Sequence, residues 1–190
     1  MNDDLLLEFK RQLVHLLVGL FEALVVLALK PRMGFYIVVP LAATILFLYC
    51  APRLAPRMPG ISHLLFHFER REDVRAFPFK GAFWFNVGIA FPIVFLKTQL
   101  ACAVIAVLAC GDSASTLVGK FYGTYRIGQK SFEGLLAFMV ASSLGASFFA
   151  KPAVAVLFAL VGGYVEFFIK VNDNLSIPIS LTAAALLLGL

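Results

Sequence analysis

The sequence predicts an all-α fold, a polytopic bundle of transmembrane helices, and three observations predict it. Hydrophobic residues fill 61% of the 190 positions and charged ones only 14%, against about 25% in an average soluble domain. The mean hydropathy is +0.92 and twenty residues are Phe, more apolar surface than one soluble core of this size can bury. The apolar residues also fall in long continuous runs, whereas a transmembrane barrel needs short segments of alternating polarity. An ordinary soluble enzyme, a disordered chain and a disulfide-rich secreted module are excluded.

About 20 apolar residues cross a bilayer once. The runs near 12–29, 34–51, 81–97, 99–118, 132–150, 152–169 and 175–190 therefore predict seven spans in one integral-membrane domain, 1–190. The last run is short and opens around Pro178, so six spans stay open. The acidic start, Asp3-Asp4 through Glu8, argues against a cleaved signal peptide. Cys50, Cys102 and Cys110 lie in apolar runs without a C-x-x-C pair and read as reduced, packing thiols.

The net charge of +5 is not read as a nucleic-acid surface, because the basic residues cluster between apolar runs as orientation signals do. With seven spans, twelve of the sixteen basic residues fall on one side: Lys10, Arg11, those of 52–80, Lys120, Arg126, Lys130 and Lys170. That side is expected to be cytoplasmic, with the N-terminus and loops 52–80, 119–131 and 170–174.

Carboxyl groups inside apolar spans are costly and mark a site or a paired structural group. In the first span Glu8, Arg11, His15, Gly19 and Glu22 recur at helical spacing and share a face. The loop 52–80 carries Glu69, Arg70 and a His63/His67 pair, which reads as an interfacial helix rather than a metal site. Trp84, near the start of the third span, reads as an interface anchor. In the fourth span Asp112, Ser115, Gly119 and Gly123 share a face that ends beside Lys120. Gly119 and Gly123 form a G-x-x-x-G pair, a close-packing signal, but packing alone does not require an Asp.

The loop after it, Thr124 to Ser131, contains Arg126 and Lys130 and leads into a helix near Phe132 with Ser131 as its N-cap. Gly123 through Ser131 nearly spells a phosphate loop, G-x-x-x-x-G-K-S/T, but has one residue too many and no preceding strand. Glycines, a lysine and a serine at a helix start still suit phosphate. In the sixth span Gly162 and Glu166 share a face, on which continued helical spacing would also put Asp173. Asn172-Asp173-Asn174, before Pro178, reads as a cap or turn.

Gly111-Asp112-Ser113-Ala114-Ser115, Gly119-Lys120-Phe121-Tyr122-Gly123 and Lys130-Ser131-Phe132-Glu133-Gly134 resemble the central motif block of the CTP-dependent polyprenol kinases. These are the dolichol, phytol and CTP-dependent diacylglycerol kinases, relatives of the phosphatidate cytidylyltransferases. Arg11 to His15 resembles the family's N-terminal motif, with Gln12 in place of its second basic residue. Glu69-Arg70 with Phe77 to Gly88, and Glu166 with Asp173 to Pro178, resemble its later ones.

The resemblance implies transfer of the γ-phosphate of CTP to a lipid alcohol at the cytoplasmic face. It implies Mg²⁺ on Asp112 and Asp173, and Asp173, His15 or Glu166 orienting or deprotonating the acceptor hydroxyl. Lys120, Lys130 and Ser131 would hold the triphosphate beside Gly119 and Gly123, with Arg11, Arg70 or Arg126 assisting. The expected partners are CTP, a polyprenol- or dolichol-type alcohol and membrane lipids, with homo-oligomerisation open. Two other readings use the same residues. One is a cytidylyltransferase that joins CMP to a lipid phosphate; the other is a small ion-coupled transporter using Glu22 and Glu166.

Overall fold

The computed structural model describes residues 3–54 and 77–190, and there it is almost wholly helical. The helices are α1 (Asp3–Met33), α2 (Val38–Leu54), α3 (Lys80–Phe95), α4 (Thr98–Tyr122), α5 (Phe132–Ser147), α6 (Pro152–Phe168) and α7 (Asp173–Leu187). Every apolar run named above is helical over most of its length. The stretch Leu5–Ala51 and helix α4 are long and apolar enough to cross a membrane, and the other helices have 15 to 17 residues.

Backbone chemistry sets the boundaries. Pro31 withholds a donor in the last turn of α1, and Gly34 takes φ +56° to open a single 3-10 turn, Gly34–Ile37, before α2. Only Leu96 and Lys97, both extended, separate α3 from α4. The Lys30 ammonium donates to the Leu96 carbonyl, tying the end of α1 to that corner. Pro152 opens α6 at its first position, where its missing N–H costs nothing.

Helix α4 is the axis of the bundle. Residues 101 to 109 are fully buried on every side, and the helix packs against α1, α3, α5, α6 and α7. A helix that is apolar all round belongs in the middle of such a packing. The outward faces of α1 and α5 remain apolar, with Leu17, Phe21 and Leu144 each more than half exposed, as expected of surface that faces lipid.

Small residues let α4 and α5 approach closely. A methyl group on Gly111 would meet Ser142 Oγ at 2.3 Å, and one on Gly145 would meet Cys110 Sγ at 2.6 Å. The three cysteines are free thiols, as expected.

Two local expectations change. The segment 119–131 is not all loop: α4 continues to Tyr122, and Arg126–Ile127 pairs antiparallel with Lys130–Ser131. Gly128, at φ +65°, makes the turn of this hairpin, so a two-stranded ribbon joins the all-α fold. Helix α7 starts at Asp173, inside the expected 170–174 loop, because Asn172 caps it through Oδ1 to the N–H of Asn174 at 3.1 Å. Most of loop 52–80, with His63, His67, Glu69 and Arg70, lies outside the described residues.

Candidate functional site

One end of the bundle collects the polar residues. The N-terminal half of α1, the C-terminal half of α4, the hairpin, the end of α6 and the start of α7 all meet there. Lys130, on the second hairpin strand, is the centre. Its Nζ donates to Glu166 Oε1 at 2.6 Å and to Asp173 Oδ2 at 2.8 Å. Ser115 Oγ, on α4, also donates to Glu166 Oε1 at 3.2 Å.

Glu166 is only 3% exposed, so the ammonium is what makes its carboxylate tolerable there. Burial by itself lowers the pKa of Lys130. The charge of Asp173 and the bonds to both carboxyl groups more than offset this, holding the ammonium above its ordinary 10.5.

Asp112 lies beside this cluster. Its Oδ2 is 3.6 Å from His15 Nε2 of α1, too long for a hydrogen bond, and no partner reaches that buried nitrogen among the described residues. His15 stacks edge-on against Phe85 of α3. His15, Asp112, Arg11, Asn86 and Asn174 line one cavity of about 450 Å³ between α1 and α3.

The helical-spacing expectation for Asp173 does not hold, since α6 ends at Phe168 and four residues turn the chain before α7. Tertiary packing brings Asp173 to the same lysine as Glu166 nonetheless.

A second polar group sits alongside. Buried Glu8 accepts from Lys120 Nζ at 2.5 Å, Gln12 Nε2 at 3.1 Å and Arg11 Nη1 at 3.4 Å. Lys120 and Arg11 are therefore engaged by α1 rather than by the Lys130 cluster.

Arg126 caps the end of α4, donating to Gly119 O at 2.7 Å and Gly123 O at 3.3 Å, where orphan carbonyls favour a cation. Ser131 is the N-cap of α5, its Oγ accepting from the N–H of Gly134 at 3.0 Å. It is seated against Gly119 and Gly123, whose added methyls would meet its Oγ at 3.1 and 2.7 Å. The glycine pair thus packs the hairpin onto α4.

Glu22 lies further along α1, where Asn86 Nδ2 reaches its Oε1 at 3.4 Å. Asn86 escapes a search for charged motifs, and Glu133, quoted above within its motif, gains its role as a brace only in the structure. The Glu133 carboxylate accepts from the N–H groups of Thr124 and Tyr125 and from the Thr124 hydroxyl, holding the hairpin's entry. A lone Asn in the apolar run 81–97 was the available signal for the first.

The chain is 30% identical over 185 residues to an uncharacterized protein of Methanocaldococcus jannaschii, an alignment covering 90% of this chain and 88% of that one. It belongs to the family of that archaeal protein. It is also 28% identical over 198 residues to the dolichol kinase sec59 of Schizosaccharomyces pombe, across 93% of this chain and 39% of the kinase. This distant similarity supports a polyprenol kinase-like membrane protein at the level of family. No family model matches the chain, and no solved structure does.

Proposed function

We propose that this protein is a membrane kinase that transfers the γ-phosphate of CTP to a lipid alcohol of the polyprenol or dolichol type. The reaction would run at the cytoplasmic face of a multi-pass bundle. The observation that carries the reading is the meeting of Lys130, Glu166, Asp173, Asp112 and His15 from five separate elements at one end. Phosphoryl transfer needs little covalent help from a protein; it needs positioned charge.

The residues fit a divalent cation. Two carboxyl groups, Glu166 and Asp173, share a single ammonium, and Asp112 lies beside His15 in the neighbouring cavity, an excess of negative charge that such an ion would offset. No preformed group of three metal-ligating side chains occurs among the described residues. Mg²⁺ is ordinarily held by one or two carboxylates, with phosphate and water completing the shell. Asp112 and Asp173 would hold it, and it would supply charge neutralisation across the phosphate oxygens.

Lys130 faces the γ-phosphate once its carboxylates turn elsewhere, and the N-termini of α5 and α7 add two positive dipole ends. Lys120, Arg11 and Arg126 would assist with the triphosphate from beyond this cluster. The acceptor oxygen forms the new bond to the γ-phosphorus while the bond from that phosphorus to the β–γ bridging oxygen breaks. CDP leaves, and the hydroxyl proton would pass to Asp173, with His15 and Glu166 the alternative acceptors.

The deciding measurement follows label from CTP into extracted lipid. Label at the γ-phosphate should appear in lipid and label at the α-phosphate should not, and Asp112→Ala should abolish the transfer. Incorporation of α-label would make the protein a cytidylyltransferase and overturn the kinase.

A further inference from the structure

The chamber between α1 and α3 has two kinds of wall. Asp112, Asn86 and Asn174 give it polar groups, while Val14, Val18 and Phe79 give it hydrocarbon. At about 450 Å³ it has the size of a small-molecule site and the usual build of one, apolar walls with a few converging polar groups. Its outer side faces the bilayer. Among the described residues α1 and α3 both pack on α4 but scarcely on each other. The His15–Phe85 edge contact and the bond from Asn86 to Glu22 bridge the gap between them. Val14 and Val18, on the α1 wall, are 38% and 46% exposed, apolar surface that meets lipid in a membrane-spanning chain.

Asp112 gives the chamber its chemistry. Its side chain lines the space and keeps 17% of its surface accessible. His15 Nε2 stands 3.6 Å away, beyond bonding distance, and no other described donor bonds to the carboxylate. Asp112 also lies within reach of the charges of Lys130 and Asp173, so the chamber adjoins the cluster there. A carboxylate has about four acceptor positions, enough for a cation and a hydroxyl together. The complement of such a space is amphipathic: one small donor against Asp112 with hydrocarbon behind it.

We infer that the chamber seats the hydroxyl end of the lipid alcohol against Asp112, with the hydrocarbon leaving between α1 and α3 into the bilayer. The inference rests on the kinase reading above and adds from which side the acceptor comes and which part of it is read. The hydroxyl then lies on the same side of α1 as Asp112 and His15, next to the start of α7. Only the carbons nearest the hydroxyl are enclosed, because the chamber is far too small for a polyprenol chain. The protein therefore reads the alcohol and its first carbons, and the bilayer takes up the remaining length.

Gly81 offers a clean obstruction, since it lines the chamber and a methyl added to it meets nothing within 4 Å. The test uses full-length protein in nanodiscs with γ-labelled CTP, a long polyprenol and a short prenol. Gly81→Leu should raise KM for both alcohols alike, roughly tenfold, the usual effect of a misfit in an apolar pocket, with KM for CTP unchanged. Ala82→Leu, on the same wall, should do the same if Gly81→Leu folds poorly. Leu144→Trp, on the exposed face of α5, should change neither KM. A prenol carrying a diazirine beside its hydroxyl, irradiated without nucleotide, should cross-link to α1 or α3 at the chamber.

An unchanged alcohol KM in both chamber variants overturns the inference, and so does cross-linking that misses both α1 and α3. A shift for only one of the two alcohols overturns it too, because the chamber would then read chain length. If the parent protein phosphorylates neither alcohol, the kinase reading fails, while the nucleotide-free cross-link still reports whether a prenol occupies the chamber.

Discussion

Lys130 shows most clearly what a single residue decides. From its place beside a helix start it reads as a phosphate partner, and in the structure it is the only side chain bonded to both Glu166 and Asp173 among the described residues. Removing it strands a buried carboxylate, which costs about 3–5 kcal/mol when one partner of a buried pair is lost. The pH dependence has a definite sign. A lysine whose folded pKa is raised contributes stability fully below its unfolded value near 10.5, and loses it only as pH climbs through the higher folded value. In Lys130→Met a buried carboxyl group left without its cation takes up a proton at lower pH and must charge as pH rises, so the stability difference from the parent should widen from roughly pH 7 to 9.5. Thermal unfolding in detergent measures it, and a difference that shrinks across that range would mean the lysine is not held as described. Asp112 and Glu166 were legible in the sequence because charge is rare in apolar runs, and Lys130 because it stands with glycines and a serine at a helix start. Their partners were not, because a contact between residues 36 or 43 positions apart depends on which helices pack together.

Among elements, the α3–α7 contact controls where Asp173 stands. A methyl on Gly88 of α3 would fall 1.9 Å from the backbone oxygen of Asn174, the residue after Asp173. Backbone cannot swing aside as a side chain can, so Gly88→Ala should push the helices apart and cost about 1–3 kcal/mol, the usual penalty of overpacking. Gly81→Ala, which meets nothing within 4 Å, is the control on the same helix. A Gly88→Ala protein as stable as the Gly81→Ala protein would show that the contact is soft. Helix existence was readable from apolar runs, and the caps at Ser131 and Asn172 from residue type. The hairpin was not, since its four paired residues carry no strand-length alternation and owe their pairing to Gly128 and to the seat Gly119 and Gly123 give Ser131.

For the whole molecule, orientation is the open prediction. The proposed arrangement puts the hairpin in the cytoplasm and the α5–α6 corner outside. In a background with Cys50, Cys102 and Cys110 replaced by Ala, a membrane-impermeant thiol reagent should label Gln129→Cys only from the cytoplasmic side. Lys151→Cys should label only from the other; the reverse pattern would remove the triphosphate from its proposed site. Composition by itself determined the solvent of this protein, the helical class and the residues too polar for that solvent. The physical reason is that burying charge and bare backbone in hydrocarbon is expensive enough to be visible residue by residue. Only the tertiary structure decided that Asp173 joins Glu166 on Lys130, that Lys120 and Arg11 answer to Glu8, and that His15 and Asp112 line one chamber beside α1. Packing of α1, α3, α5, α6 and α7 around one buried helix is a long-range outcome, and no local pattern encodes it.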